Sequence, residues 1–414
     1  MIRTTDTIII GAGQAGLATS RHLSDLGIDH LVLERGTVGE RWRSERWNSL
    51  RLLTPNWMTR LPGFDYQGAD THGFMHKDAV ADHLDAYGRS FAAPVLGGVD
   101  VTSVAQDDGR FRVDTNHGSW RARAVVIATG ACDTPFVPAF AKRLDPRVAQ
   151  ETPYSYKSPE QIANGGVMIV GASATGVQLA DELARAGHDV TLSVGSHVRV
   201  PRRYRGCDLM YWLDRSGILD EPRASTTDID ALLRHPSLQL VGAADGRNID
   251  LGTLQARGVG IVGRVNVGSG MRLGVASSPA QAVAAAETRQ QRPLARIDQY
   301  IEDSGTPAPE PRRVDPIRLE PSPTELDLGS RGIRTVLWAT GYRRAYPWLN
   351  LPVLTPSGEI WQDGGATALP GLYTVGLPFM RHRNSSFLGG VGRDAKAISN
   401  MIFNHLSAQT AQVA

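Results

Sequence analysis

Residues 6–16 read Asp-Thr-Ile-Ile-Ile-Gly-Ala-Gly-Gln-Ala-Gly, and this stretch decides the fold. An uninterrupted apolar run, Ile8 to Ile10, precedes Gly11, Gly13 and Gly16, and a helical pattern follows through Leu17, Leu23 and Leu26. The order predicts a buried parallel strand, a tight turn and a helix. Gly11 makes the turn, Gly13 lets a pyrophosphate approach the backbone, and Gly16 lets the helix pack on the strand. The helix N-terminus, including Gln14 and Ala15, offers unpaired N–H groups and a favourable dipole to phosphates. A second strand, residues 30–34, ends in Glu34, 23 residues after Gly11 and placed to bond a ribose hydroxyl, with Arg35 beside it. A lone glycine triplet is weak evidence. Strand, triplet, helix, strand and acid in that order form a dinucleotide fold.

The device returns at residues 166–176, Gly-Val-Met-Ile-Val-Gly-Ala-Ser-Ala-Thr-Gly. Gly171, Ser173, Ala174, Thr175 and Gly176 occupy the cradle, and the small Ser173 still permits a close phosphate. The next strand, residues 189–193, ends at Ser193 without an acid. Arg199, Arg202, Arg203 and Arg205 follow within seven residues. An acid would repel a 2′-phosphate whereas arginines would bind it, so the second nucleotide reads as NADPH. The alternative is a solvated surface loop. Two dinucleotide folds imply a hydride relay between a resident carrier and a diffusible one. The first fold, with its acid, suits the ADP half of FAD.

Between and beyond these motifs the chain repeats one more phrase. Ala128-Thr129-Gly130 closes an antiparallel excursion over residues 98–130, and Ala339-Thr340-Gly341 closes the strand from Thr335. Each reads as an apolar strand entering a turn whose small residues allow close approach to a cofactor. Residues 372–376 read as a further buried strand, a glycine turn spans Gly389–Gly392, and a helix is expected from Asp394, whose first reading is an N-cap. A helical stretch near Ala280–Ile301 is expected to break or kink at Pro293. The remainder of 222–330 shows no legible chemistry. The fold class is therefore α/β, with two Rossmann-like dinucleotide-binding domains, the NADPH domain inserted into the FAD domain: residues 1–157, 158–325 and 326–414.

Composition bounds the rest. The 414 residues carry 44 Lys plus Arg against 42 Asp plus Glu, which excludes a global electrostatic case for nucleic acid or membrane surfaces. Only Cys132 and Cys207 occur, too few for a disulfide framework or a Cys-rich metal site. No apolar run approaches the roughly 18 residues of a membrane helix. A strand begins almost at once, so a cleaved leader is not expected. The expectation is a cytoplasmic protein acting on a small molecule, with a homodimer allowed. His72 and His76 are four apart with no third ligand evident.

Four longer phrases carry a family resemblance: residues 33–42, 47–55, 200–206 and 387–394, the last reading Phe-Leu-Gly-Gly-Val-Gly-Arg-Asp. Over nearly its whole length the chain resembles a flavin-containing monooxygenase of the bacterial CzcO-like group. The resemblance implies FAD bound noncovalently, NADPH as reductant and O2 activated as a flavin C4a-peroxide, with one oxygen atom passing to the substrate by N- or S-oxidation or hydroxylation. It departs from that family at the fingerprint Phe-x-Gly-x-x-x-His, whose places fall on Pro146, Val148 and Thr152 when aligned on Tyr156. Tyr156 also stands where Baeyer–Villiger enzymes place tryptophan. Members that oxidise N and S place an asparagine beside the flavin after Ser or Thr. Here Thr54 is followed by Pro55 and then Asn56, which serves either as that catalytic residue or as an Asx-type turn. Trp42 and Trp47 either wall the flavin ring or belong to the core. Cys132 follows an Ala-Thr-Gly turn but lacks a Cys-x-x-Cys partner. The cofactor set further takes in Val101, Gly376, Leu388 and Gly389. The alternatives are an NADPH oxidase or quinone-type reductase, or a redox-sensing flavoprotein accessory to ion transport.

Overall fold

The computed structural model describes residues 2–413 apart from 224–236, 313–315 and 320. Its first sheet is built on the strand Arg3–Ile10, paired in parallel with His30–Leu33 on one side and Gly118–Ile127 on the other. Val95–Leu96 and Leu372–Thr374 extend the parallel part, and Val101–Asp107 and Arg110–Thr115 add the antiparallel excursion. Alternation along the strands explains why both faces are apolar. Ile9, Val32, Ala124 and Val126 join one buried cluster with the helix Gln14–Asp25, whereas Ile8, Ile10, Leu33, Val125 and Ile127 join another on the opposite face.

The second sheet repeats the plan. Gly166–Val170 lies between Val190–Val194 and Ile333–Trp338, flanked by Gly260–Gly263 and Ala149–Glu151, all parallel. Two of these strands, Ala149–Glu151 and Ile333–Trp338, lie outside the 158–325 span read from the motifs. They are the chain's outbound and return crossings, and they pair with each other at one side of the inserted sheet. Nearby, Thr134–Pro135 and Tyr342–Arg343 form a two-stranded antiparallel link, with the Arg343 guanidinium 4.1 Å from the Phe136 ring centroid.

Two expected elements differ. The helix Pro279–Ser304 does not break at Pro293, the first of the two alternatives expected there, because buried Val283, Ala286 and Gln290 on one side and Ile297 and Ile301 on the other fasten both halves to the core. The last helix is Val391–Val413, so Asp394 lies in its first turn and is not its N-cap. Among the described residues no helix is long and apolar enough to cross a membrane.

Candidate nucleotide sites

The two glycine motifs fold alike, down to their collisions. Gly11 has φ +107°, and a Cβ there would sit 2.7 Å from the Ala128 carbonyl oxygen. Gly171 has φ +113° and is pressed in the same way against the Ala339 carbonyl. Gly16 and Gly176 abut the carbonyls of Gly11 and Gly171, so each helix sits tight on its own strand. The repeated Ala-Thr-Gly phrases are therefore the far walls of the two cradles. Around Gly13 there is open space, and neither Gly13 nor Ser173 caps its helix with a side chain. Uncapped N–H groups fit a pyrophosphate in both places, facing the open Gly13 in the first and the small Ser173 in the second.

In the first site, Glu34 accepts hydrogen bonds from the backbone N–H groups of Ala12 (2.8 Å) and Gly36 (3.0 Å). The acid thus stands against the glycine turn and suits a ribose hydroxyl. Distant segments close on the same helix end. The Gln14 amide donates to the Ser386 carbonyl, a Cβ on Gly376 would lie 2.5 Å from the Ala15 Cβ, and Gly389 abuts the Met58 carbonyl. A small cleft beyond them is lined by Thr54, Met58, Arg60, Asp214, Asn384 and Phe387–Gly390. Half-buried Trp42 packs against this unit's core, and the Arg46 guanidinium lies between the Trp42 and Tyr342 rings, 5.8 Å from each centroid. Thr129 and Gly130 are half-buried at the cradle wall, and the Thr340 hydroxyl, beside exposed Gly341, donates to the Phe136 carbonyl.

Other residues of the expected set stand elsewhere. Trp47 is 4% exposed within the second unit's core, against Tyr156 and the helix Ala174–Arg185, so it is not a wall of the first cradle. Val101 is buried in the cluster on the opposite face of the first sheet from the helix Gln14–Asp25. Arg35 is exposed and pairs with Glu45. Asn56 spends its amide on a loop, donating to the Asp70 carbonyl (2.8 Å) and accepting from the Met75 N–H (2.7 Å). That bridge is a structural task, wider than the Asx turn, and it leaves the side chain poorly placed to serve a substrate.

In the second site the arginine cluster divides. Arg199 is buried, with Asp250 at 2.9 Å and Glu287 at 3.5 Å. Arg202 is buried too, paired with Asp208 and donating to the Leu53 carbonyl. Arg203 is exposed and donates to the Gly206 carbonyl. The Ser193 hydroxyl holds the neighbouring strand, donating to the Gly263 carbonyl and accepting from the Val265 N–H. Sequence reading missed two residues here. Arg264 is exposed and lies over Gly195 at the end of the strand Val190–Val194, its Cγ and Cδ 3.6 Å from where a Gly195 Cβ would be. Gln239 is buried and donates to the Ala172 carbonyl at 2.5 Å, and its own oxygen has no partner among the described residues. Neither carries a motif. Arg264 stands alone about 60 residues after the arginine run, and nothing in the spacing marks Gln239.

A family model described as pyridine nucleotide-disulphide oxidoreductase matches residues 8–214. An uncharacterized CzcO-like oxidoreductase of Geobacillus kaustophilus is 30% identical over 408 residues, 98% of this chain and 100% of the relative. A probable indole-3-pyruvate monooxygenase of Arabidopsis thaliana, YUCCA1, is 31% identical over 205 residues, 48% of this chain and 49% of the relative. Among solved structures, a flavin-containing monooxygenase from Stenotrophomonas maltophilia superposes with TM-score 0.65 at 20% identity, covering 98% of this chain and 100% of that one.

Proposed function

This chain belongs to the pyridine nucleotide-disulphide oxidoreductase family, alongside the CzcO-like oxidoreductases, and from that premise we propose that it is an FAD- and NADPH-dependent monooxygenase. The reading places one oxygen atom of O2 into a small organic substrate, by N- or S-oxidation or hydroxylation. One observation carries it: two cradles of the same construction, each an uncapped helix end beside an Ala-Thr-Gly wall, lie in one chain. The monooxygenases among the similar proteins support the choice of chemistry. So do the cysteines, since Cys132 and Cys207 stand 75 positions apart and make no Cys-x-x-Cys relay for disulfide reduction.

FAD in the first cradle and NADPH in the second would supply hydride transfer and oxygen activation. The chain's own task is holding and shielding. Gln14 and Ala15 N–H groups would hold the flavin's pyrophosphate, with Glu34 on its ribose, and Ala174 and Thr175 would do the same for the second nucleotide. Gly376, Leu388 and Gly389, drawn onto the first helix end and Met58, would exclude water from the reacting end.

Substrate screening over amines, sulfides and ketones tests the reading, with NADPH consumption and product mass followed together. The expected result is one oxygenated product per NADPH for at least one class. Hydrogen peroxide equal to the NADPH consumed with every substrate would overturn it in favour of an NADPH oxidase. That rival draws on the missing fingerprint at Pro146, Val148 and Thr152 and on the committed amide of Asn56.

A further inference from the structure

A crevice of about 290 Å³ opens between the segment Trp47–Arg51, the outer face of the helix Ala174–Arg185 and residues 241–249. None of the cradle residues lines it, so it is separate from both nucleotide sites. Its walls are of two kinds. Trp47, Leu50, Val241 and Ile249 supply an apolar side. Arg51, Arg185 and Arg247 supply cations, opposed by Asp181 and Glu182.

The charges do not cancel. Asp181 is buried and already shared among Arg185 (3.0 Å), Arg247 (2.7 Å) and Arg257 (3.2 Å). Arg51 has no carboxylate partner among the described residues; one of its donors goes to the Phe74 carbonyl, which leaves the rest of the guanidinium uncommitted. The Nε of Arg247 is buried without a partner among the described residues. Glu182 accepts from the Ser49 hydroxyl (2.5 Å) and the Tyr156 hydroxyl (3.1 Å), so its oxygens are engaged with neutral groups. Burial pushes its carboxyl above the usual carboxylate range, which further weakens the negative side.

We propose that this crevice binds a small organic carboxylate, its anionic end paired with Arg51 and its apolar body against Trp47, Leu50, Val241 and Ile249. A free guanidinium meets a carboxylate through two parallel N–H donors. The volume lies at the lower end of the range for small-molecule sites, where an apolar wall with few convergent polar groups is the usual composition. A ligand there touches both units, because Trp47–Arg51 belongs to the first stretch of chain and the helix to the inserted sheet. The site goes beyond the monooxygenase reading and does not depend on it.

Benzoate is the probe, with benzamide as its neutral isostere, titrated calorimetrically into the FAD-loaded protein with NADP+ saturating. Saturable benzoate binding, at least about tenfold tighter than benzamide, is expected. Arg51→Gln should remove that preference and leave benzamide unchanged. Gln178→Trp, which fills the crevice from the helix side, should abolish both, with retained FAD content showing that the variants fold. No saturable binding, an unchanged preference in Arg51→Gln, or binding seen only without NADP+ would overturn the proposal. Oxygenase activity enters none of these readouts, so the two readings fail separately.

Discussion

Gly11 and Gly13 are two positions apart and respond to opposite constraints. Gly11 is fixed by its positive φ and by the Ala128 carbonyl, so any side chain there strains the fold itself. Gly13 has φ −84° and open space around it, so the empty cradle tolerates a side chain. Gly13→Val should therefore leave thermal unfolding of the flavin-free protein nearly unchanged while abolishing FAD binding, read as flavin released on heating. Gly11→Val should lower stability whether or not flavin is present. A second residue-scale expectation follows from charge. Arg264 has no carboxylate partner among the described residues and lies over Gly195 at the end of the strand Val190–Val194, whereas Arg199 and Arg202 already hold carboxylates. Arg264→Ala should weaken NADPH roughly ten- to hundredfold, as for loss of a charge-assisted contact, with NADH little affected. Steady-state comparison of both nucleotides checks it, and equal losses would make Arg264 structural.

The final helix, Val391–Val413, packs on the helix Gln14–Asp25 through Val391, Ala395, Ile398 and Ile402 of the first unit's core. Its first turn contains Asp394, 0% exposed, with its carboxylate beside the Ser385 hydroxyl and His382 Nδ1 3.6 Å away. Burial raises this carboxyl above its ordinary value, and the Ser385 hydrogen bond and the His382 and Arg381 charges only partly oppose the rise. A carboxyl raised on folding binds more protons folded than unfolded. Its contribution to stability is thus full below the unfolded value and declines as pH rises through the folded one. Asp394→Asn should remove that decline. Denaturant titrations at acid and at neutral pH are expected to show the variant gaining on the parent as pH increases, and a constant difference would exclude the titration. The helix Pro279–Ser304 makes a related point. Local propensity argues for a break at Pro293, and packing on both sides outweighs the one lost hydrogen bond.

Across the whole molecule the two units are tied more than once. Crossing strands Ala149–Glu151 and Ile333–Trp338 pair with each other, Trp47 from the first stretch is buried in the second unit's core, and Arg46 reaches from Trp42 to Tyr342. Such ties predict one cooperative transition. Far-UV circular dichroism, tryptophan fluorescence and flavin release should coincide on denaturant unfolding. NADP+ at about 100 times its Kd should shift the entire transition by about 2.7 kcal/mol. Separate transitions, with NADP+ moving only one of them, would show that the units unfold independently.

Strand, glycine turn, helix and acid were legible in residues 6–34 and again, less the acid, in 166–194, because each device is made by neighbours along the chain. Their side-chain period and glycine spacing suffice to specify a cradle locally. The partners of charged and polar groups were not legible. Arg199 looks free until Asp250, 51 residues later, arrives beside it. Arg264 looks incidental until the strand just before it, Gly260–Gly263, lies next to Val190–Val194. Asn56 looks chemical until the loop at Asp70–Met75 takes both ends of its amide. Backbone devices follow from local geometry, whereas the availability of a side chain depends on what long-range packing brings within hydrogen-bonding distance of it, and only the tertiary structure decides that.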